Sequence, residues 1–259
     1  MTDAVFQPEG EGWRPTELAG SPWSSESLHG GAVAALAARE AERVPSEGPM
    51  IPVRLTLELL APPPIAPLAV SAALVRPGRR VQLIELTVAA DDDLIARGRV
   101  VRLRHGRVDG LPEPEPGRPP PPPEGGEPLG EWRAWADGFH SLAMEHRFVR
   151  GHMKEIGPAT DWLRLRVPIV PDEEPSPLQR VVAAADHGNG VSRILDFTEH
   201  VFINPDLTVH LHRLPVGEWI CLDARTTVQP EGVGMAECAL HDRDGPVGRS
   251  VQSLLVTST

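Results

Sequence analysis

A chain of 259 residues, 41% of them hydrophobic, has enough apolar material for one large core or for two of roughly 100 to 130 residues each. Its formal net charge of −11 argues against nucleic acid and anionic membrane surfaces as partners, because both would be repelled. Two cysteines are too few for a disulfide framework, no apolar run reaches the roughly 18 residues of a membrane span, and the first residues, MTDAVFQPEGEGW, lack a basic stretch leading into an apolar one, so the expected location is the cytoplasm.

The first patterned segment is HGGAVAALAAREAERV, whose alanine-rich run from Ala32 to Val44 predicts a helix. Strand-like segments follow it. MIPVRLTLELLA alternates at Val53, Leu55, Leu57 and Leu59, and LAVSAALVR, VQLIELTVAA and LIARGRVVRLR come next, with turns at Pro77-Gly78 and through Asp91 to Asp93. Residues 110–130, rich in proline, glycine and glutamate, form neither ladder nor helix and read as an extended polyproline II linker.

Beyond the linker the same order returns. DWLRLRVPIV predicts a strand, and a helix from Pro177 to about Asp186 stops at the HGNGVS turn. NPDLTVHLHR, EWICLDARTTV, GMAECALHD and PVGRSVQSLLV then predict four strands, with turns at Val216-Gly217, Pro230 to Gly232 and Asp242 to Gly245. If Pro230 to Val233 closes a hairpin, Cys238 falls near Ala224 and not opposite Cys221, so a disulfide is disfavoured. The repeat predicts an N-terminal domain at 1–109, a linker at 110–130 and a C-terminal domain at 131–259. A helix followed by an antiparallel meander is an α+β unit in which a sheet wraps one central helix, and two such units make a tandem, or double, hot-dog.

Within this frame the residues resemble the acyl-CoA thioesterase II family, whose members fuse two hot-dog domains. The resemblance rests on Asp206 in DLTVHLHR, Thr226 in LDARTT and Gln252 in SVQSLL, in that order, with His212-Arg213 six and seven residues after the aspartate and Pro215 one residue later than the family pattern. It implies hydrolysis of an acyl-CoA to free acid and CoA, with Asp206, Thr226 and Gln252 catalytic and no metal or organic cofactor.

The chemistry asks for a water aimed at the thioester carbonyl, a group to take its proton and donors for the developing oxyanion. A carboxylate desolvated at a strand end suits the base, and amide or hydroxyl groups suit the other roles. Asp206 also reads as turn chemistry in Asn204-Pro205-Asp206, and either Thr226 or Thr227 supplies the hydroxyl. Aligning the two copies sets Val53 against Asp206 and Val100 against Gln252, so the first copy lacks both polar groups and one active site per chain is expected. His29, Gly30 and Gly31 before the first helix, and Gly188, Asn189 and Gly190 in HGNGV, are expected to bind substrate through backbone donors, although plain helix caps explain both segments nearly as well.

His210 and His212 share one strand face, but no third ligand accompanies them and no metal is expected. Either directed at Asp206 would favour a hot-dog hydratase of enoyl thioesters; divergence of Asp206 and Gln252 would favour a non-catalytic acyl-CoA binder. The six tryptophans read as packing anchors, and strand edges left open in each domain point to a homodimer or higher homo-oligomer.

Overall fold

The computed structural model describes residues 3–112, 117, 119–130 and 137–258; Trp132 and Trp135 lie outside them. The first half consists of strands β1 (Phe6–Glu9) and β2 (Gly12–Pro15), helix α1 (Gly30–Arg43), then β3 (Met50–Leu59), β4 (Leu68–Arg76), β5 (Val81–Ala90) and β6 (Asp93–Arg104). The second half consists of β7 (Met144–Arg150), β8 (Ala159–Leu165), helix α2 (Pro177–Ala185), a one-turn helix α3 (Gly188–Val191), and β9 (His200–Ile203), β10 (Asp206–Leu211), β11 (Ile220–Val228), β12 (Val233–Asp242) and β13 (Gly245–Ser258).

The strands form one sheet in the order β1-β2-β4-β5-β6-β3-β10-β13-β12-β11-β8-β7, with β9 on the free end of β13. The order is a palindrome about the β3–β10 seam, where Val209 lies beside Leu55 and Asp206 beside Glu58. Each half is an antiparallel sheet around a helix, the double hot-dog expected from the repeat. Strands β1 and β2 ahead of α1, β7 ahead of β8, and β9 ahead of β10 were not expected: all except β7 are four-residue elements, too short for a clear periodic signal. The β11–β12 register sets Ala224 beside Cys238 and Cys221 beside His241, and both thiols are free and buried.

Part of the proline-rich stretch is fastened to the second half. Trp162 Nε1 donates to Pro121 O at 2.7 Å, Pro123 is buried, and Glu127 and Phe148 exchange two backbone hydrogen bonds of 2.8 Å. Prolines carry no N–H to extend a ladder, so the segment meets the sheet as a cover until Glu127 restores a donor.

Both helices lie against the inner face, where Leu55 and Leu57 of β3 and Leu207 and Val209 of β10 are buried with the alanines of α1 and α2. The helices run in opposite directions. Ser176, the N-cap of α2, donates to Glu42 near the end of α1 at 2.6 Å, while the start of α1 abuts the end of α2. There a Cβ on Gly31 would stand 2.9 Å from Ala183 O, and one on Gly30 2.8 Å from Asp186 Oδ2. Glycine at both positions therefore sets how closely the helices approach.

Gly31→Ala should lower stability despite the better helix propensity of alanine, which returns only about 1 kcal/mol. The clash is with backbone, and overpacking of this kind costs roughly 1–3 kcal/mol. Thermal denaturation should show Tm falling by a few degrees; a rise would mean that the helices do not meet there.

Candidate active site

Where the two helices meet, a carboxylate is enclosed. Asp186 is the C-cap of α2 and 5% exposed. Its Oδ1 accepts from Asn204 Nδ2 at 2.8 Å and from Gln252 Nε2 at 3.2 Å, and its Oδ2 lies 3.1 Å from His29 Nδ1. Gln252 also donates to Asp186 O at 3.1 Å and accepts from the Asn189 backbone N–H at 3.2 Å, so all of its amide is used in fixing the segment from Asp186 to Asn189.

Local sequence explains each placement. Gln252 sits on the inward row Thr226–Ala236–Gln252 running across β11, β12 and β13. It can reach the chain above because residue 188 is glycine: a Cβ there would come within 2.9 Å of Gln252 Oε1 and 2.8 Å of Cys238 Sγ. Asn204 is held beside Asp186 by the break between β9 and β10, which Pro205 maintains.

This group forms one wall of a cleft of about 390 Å³ between the halves. Trp23, Leu60, Pro63 and Ile203 make it largely apolar, and Gly30 lies on its wall at the start of α1. Among the described residues lining it there is no lysine or arginine, and Asp186 is the only carboxylate. Trp23 is braced edge-on by Phe197 and Phe202, with ring centres 5.5 and 5.0 Å away.

Behind Asp186 lies a layer of imidazoles. His29, the N-cap of α1, accepts from Gly31 N at 3.0 Å and stacks on His187 with ring centres 4.7 Å apart. His187 Nδ1 donates to Ala183 O at 3.0 Å, while among the described residues its buried Nε2 meets no hydrogen-bond partner. His187 and His140 line a cavity of about 20 Å³, the volume of a single water. Burial, reinforced by neighbouring imidazoles, holds His140 down to about 3 and His187 well below the usual histidine range. Deeper still, His146 Nδ1 is 2.5 Å from Asp161 Oδ2 and its Nε2 is 2.8 Å from His140 O; burial pushes the Asp161 carboxyl up.

The structure brings Gln252 and the HGG and GNG segments together, but not Asp206 or Thr226. Leu207 and Val209 turn inward, so Asp206 belongs to the outer row of β10, and its Oδ1 accepts from Ser253 N at 2.8 Å. The one-residue alternation of a strand excludes it from the Gln252 side. Thr226 is inward and buried, with its hydroxyl 2.8 Å from Ser192 Oγ, where it ties the end of α3 to the sheet; Thr227 is exposed. His29 and Gly30 line the cleft and Gly31 lies directly behind them. Asn189 lines the cleft and Gly190 the smaller cavity, while Gly188 makes room for Gln252. The HGNG segment is the short helix α3, not a simple turn. His210 and His212 are exposed on β10 and just beyond it, away from the cleft. Sequence reasoning passed over Asp186 and Asn204.

Family models for the acyl-CoA thioesterase N-terminal and C-terminal domains match residues 19–103 and 112–256. A hot-dog protein of unknown function from Alicyclobacillus acidocaldarius is similar in structure, with 19% identity, a TM-score of 0.72 and coverage of 98% of this chain and 95% of that one. The tesB protein of Mycobacterium avium subs paratuberculosis is similar at 17% identity and TM-score 0.69, covering 97% and 95% of the two chains. An acyl-CoA thioesterase II from Mycobacterium marinum is similar at 15% identity and TM-score 0.65, covering 98% and 94%. No curated protein matches the chain.

Because His140 and His187 are held neutral, the unfolded chain binds more protons than the folded one once the pH falls below about 6.5. Their contribution to stability is complete above that pH and is lost on acidification, by up to about 1.4 kcal/mol per pH unit for each ring. Denaturant unfolding between pH 7 and pH 5 should show this loss, and His187→Gln should have a shallower pH dependence than wild type. Equal slopes would mean that His187 is not buried as the neutral ring.

Proposed function

The chain belongs to the acyl-CoA thioesterase family, and from that premise we propose that it hydrolyses its acyl-CoA thioester with a water activated by Asp186, in place of Asp206. One observation carries this reading: among the described residues Asp186 is the single carboxylate lining an apolar cleft, with one oxygen held by two side-chain amides. A carboxylate fixed in a desolvated wall is a competent general base.

Water enters beside Asp186 and gives it a proton as its oxygen bonds to the thioester carbonyl carbon. Gly30, at the first turn of α1, lines the same cleft, and its backbone N–H is the proposed donor to the oxyanion. Collapse of the tetrahedral species breaks the C–S bond, and the thiolate leaves as CoA after recovering the proton. Gln252 and Asn204 hold Asp186 in place, and the Gln252 link to Asn189 steadies the opposite side of the turn. The cleft takes the acyl and thioester portion, since among the described residues its lining offers apolar contact and no lysine or arginine. We further propose a cytoplasmic homodimer or higher homo-oligomer, in which the exposed row of Val233, Met235, Val251 and Leu255 on the outer face is the surface to be covered.

Thiol release from short-, medium- and long-chain acyl-CoAs tests the assignment. Asp186→Asn should lose about a hundredfold or more in kcat and Gln252→Ala roughly tenfold to a hundredfold, while Asp206→Asn should stay within about threefold of wild type. Loss in Asp206→Asn with an active Asp186→Asn would reverse the roles. Trp23→Ala, by opening the cleft wall, should shift kcat/KM toward bulkier acyl groups; an unchanged preference would place the acyl chain elsewhere.

A further inference from the structure

We infer that His187 is a positioning residue for hydrolysis: its Nε2 accepts a hydrogen bond from a water seated in the small cavity beside Asp186, and this is the water that Asp186 activates. The inference rests on the preceding assignment of Asp186 as the base.

The tautomer of His187 follows from its surroundings. Nδ1 lies 3.0 Å from Ala183 O and 3.2 Å from Ala184 O, and carbonyl oxygens only accept, so Nδ1 carries the ring proton and Nε2 presents a lone pair. The residue is 3% exposed, and burial keeps its ring neutral. Among the described residues no donor reaches that lone pair, and a buried acceptor is ordinarily satisfied by protein or by an ordered water. The cavity of about 20 Å³ that His187 lines has room for one water and for nothing larger.

Asp186 lines the same cavity, and Trp23, His29, Asp186 and Asn189 border both it and the main cleft. The cavity therefore lies directly behind the cleft wall. An apolar acyl group that fills the cleft shuts out bulk water, so the water for hydrolysis has to be inside before the substrate seats. A site bordered by Asp186 and His187 supplies it. Oδ1 of Asp186 is taken by the amides of Asn204 and Gln252, which leaves Oδ2 for the water. A water that donates one O–H to Oδ2 and the other to His187 Nε2 keeps its oxygen lone pairs for the thioester carbon. A water held by donors would have a lone pair tied up.

The step balances without any further reactant. The water O–H directed at Asp186 breaks and its proton goes to the carboxylate; the pair left on oxygen forms the C–O bond, and the carbonyl π pair moves onto its oxygen. On collapse that pair re-forms the carbonyl, the C–S bond breaks, and the thiolate takes the proton from Asp186. The carboxylate is regenerated, and the Nε2 lone pair is returned for the next water.

Hydrolysis in dilute methanol tests where the water sits, since methanol exceeds water by a methyl group and does not fit a one-water cavity. Wild type should release free acid with little methyl ester, and His187→Ala, which enlarges the cavity, should raise the ester-to-acid ratio by about tenfold or more. His187→Leu, without the acceptor, should lower kcat roughly 10- to 100-fold with KM within about threefold. His187→Gln, whose amide oxygen can stand in for Nε2, should recover most of that loss. Wild-type kcat in His187→Leu, or an unchanged ester ratio in His187→Ala, with Asp186→Asn inactive, overturns the proposal and leaves the base intact. An active Asp186→Asn overturns the base assignment and this inference with it. If the His187 variants do not fold, a high-resolution crystal structure of the wild-type protein decides: a water within hydrogen-bonding distance of both His187 Nε2 and an Asp186 oxygen is expected, and a cavity whose water misses either group, or that holds none, overturns the proposal.

Discussion

An acidic side chain at the C-terminal end of a helix stands where the dipole of that helix opposes its charge. Asp186 is in this position on α2, and the fold compensates by bringing the N-terminal end of α1 against it. The start of a helix carries roughly half a positive charge, so what is unfavourable within one half becomes favourable between the two. The approach depends on Gly30 and Gly31, because any side chain there would strike Asp186 or the last carbonyls of α2. That close contact sets how the ends of the antiparallel helices meet and forms a wall of the cleft.

Two helices that cross antiparallel have two such ends, and only one is open here. At the other, Glu42 near the end of α1 accepts from Ser176 Oγ and Gln179 Nε2, and Arg102 caps the final carbonyls of α1 at Ala41 and Val44. Burial pushes the Glu42 carboxyl up, as expected for an acid enclosed away from water. The second copy begins its helix with Ser176-Pro177 where the first begins with His29-Gly30-Gly31, and long side chains fill the space that the glycines leave free. The asymmetry of one duplicated fold is thus written mainly in how each helix starts.

The repeat, the helices and most strands were legible because each carries a periodic signal over six or more residues. The four-residue strands β1, β2, β9 and the single-turn α3 were not, since their pairing is decided by neighbours distant in sequence. Motif spacing gives the order of Asp206 and Gln252 along their strands but not the face, and the buried neighbours Leu207 and Val209 set Asp206 on the outer row of β10 while Gln252 is buried on the inner side. Asp186 did leave a signal: an acid closing the apolar run VVAAA, contrary to the helix dipole, is an electrostatic misfit that needs a partner from elsewhere. Asn204 left none, because Asn-Pro before a strand is ordinary turn chemistry.

The acidic balance of the chain looks ill suited to an anionic thioester, and the cleft suggests how the two are reconciled. A lining of tryptophan, leucine, isoleucine and proline offers burial to the uncharged end of an acyl-CoA. In the proposed reading, apolar area serves the acyl portion, and the side-chain amides of Asn204 and Gln252 serve to hold Asp186. The phosphates of CoA, carrying the charge that the protein as a whole repels, are best left in solvent, where about 8 to 10 Å of salt screening reduces the long-range cost.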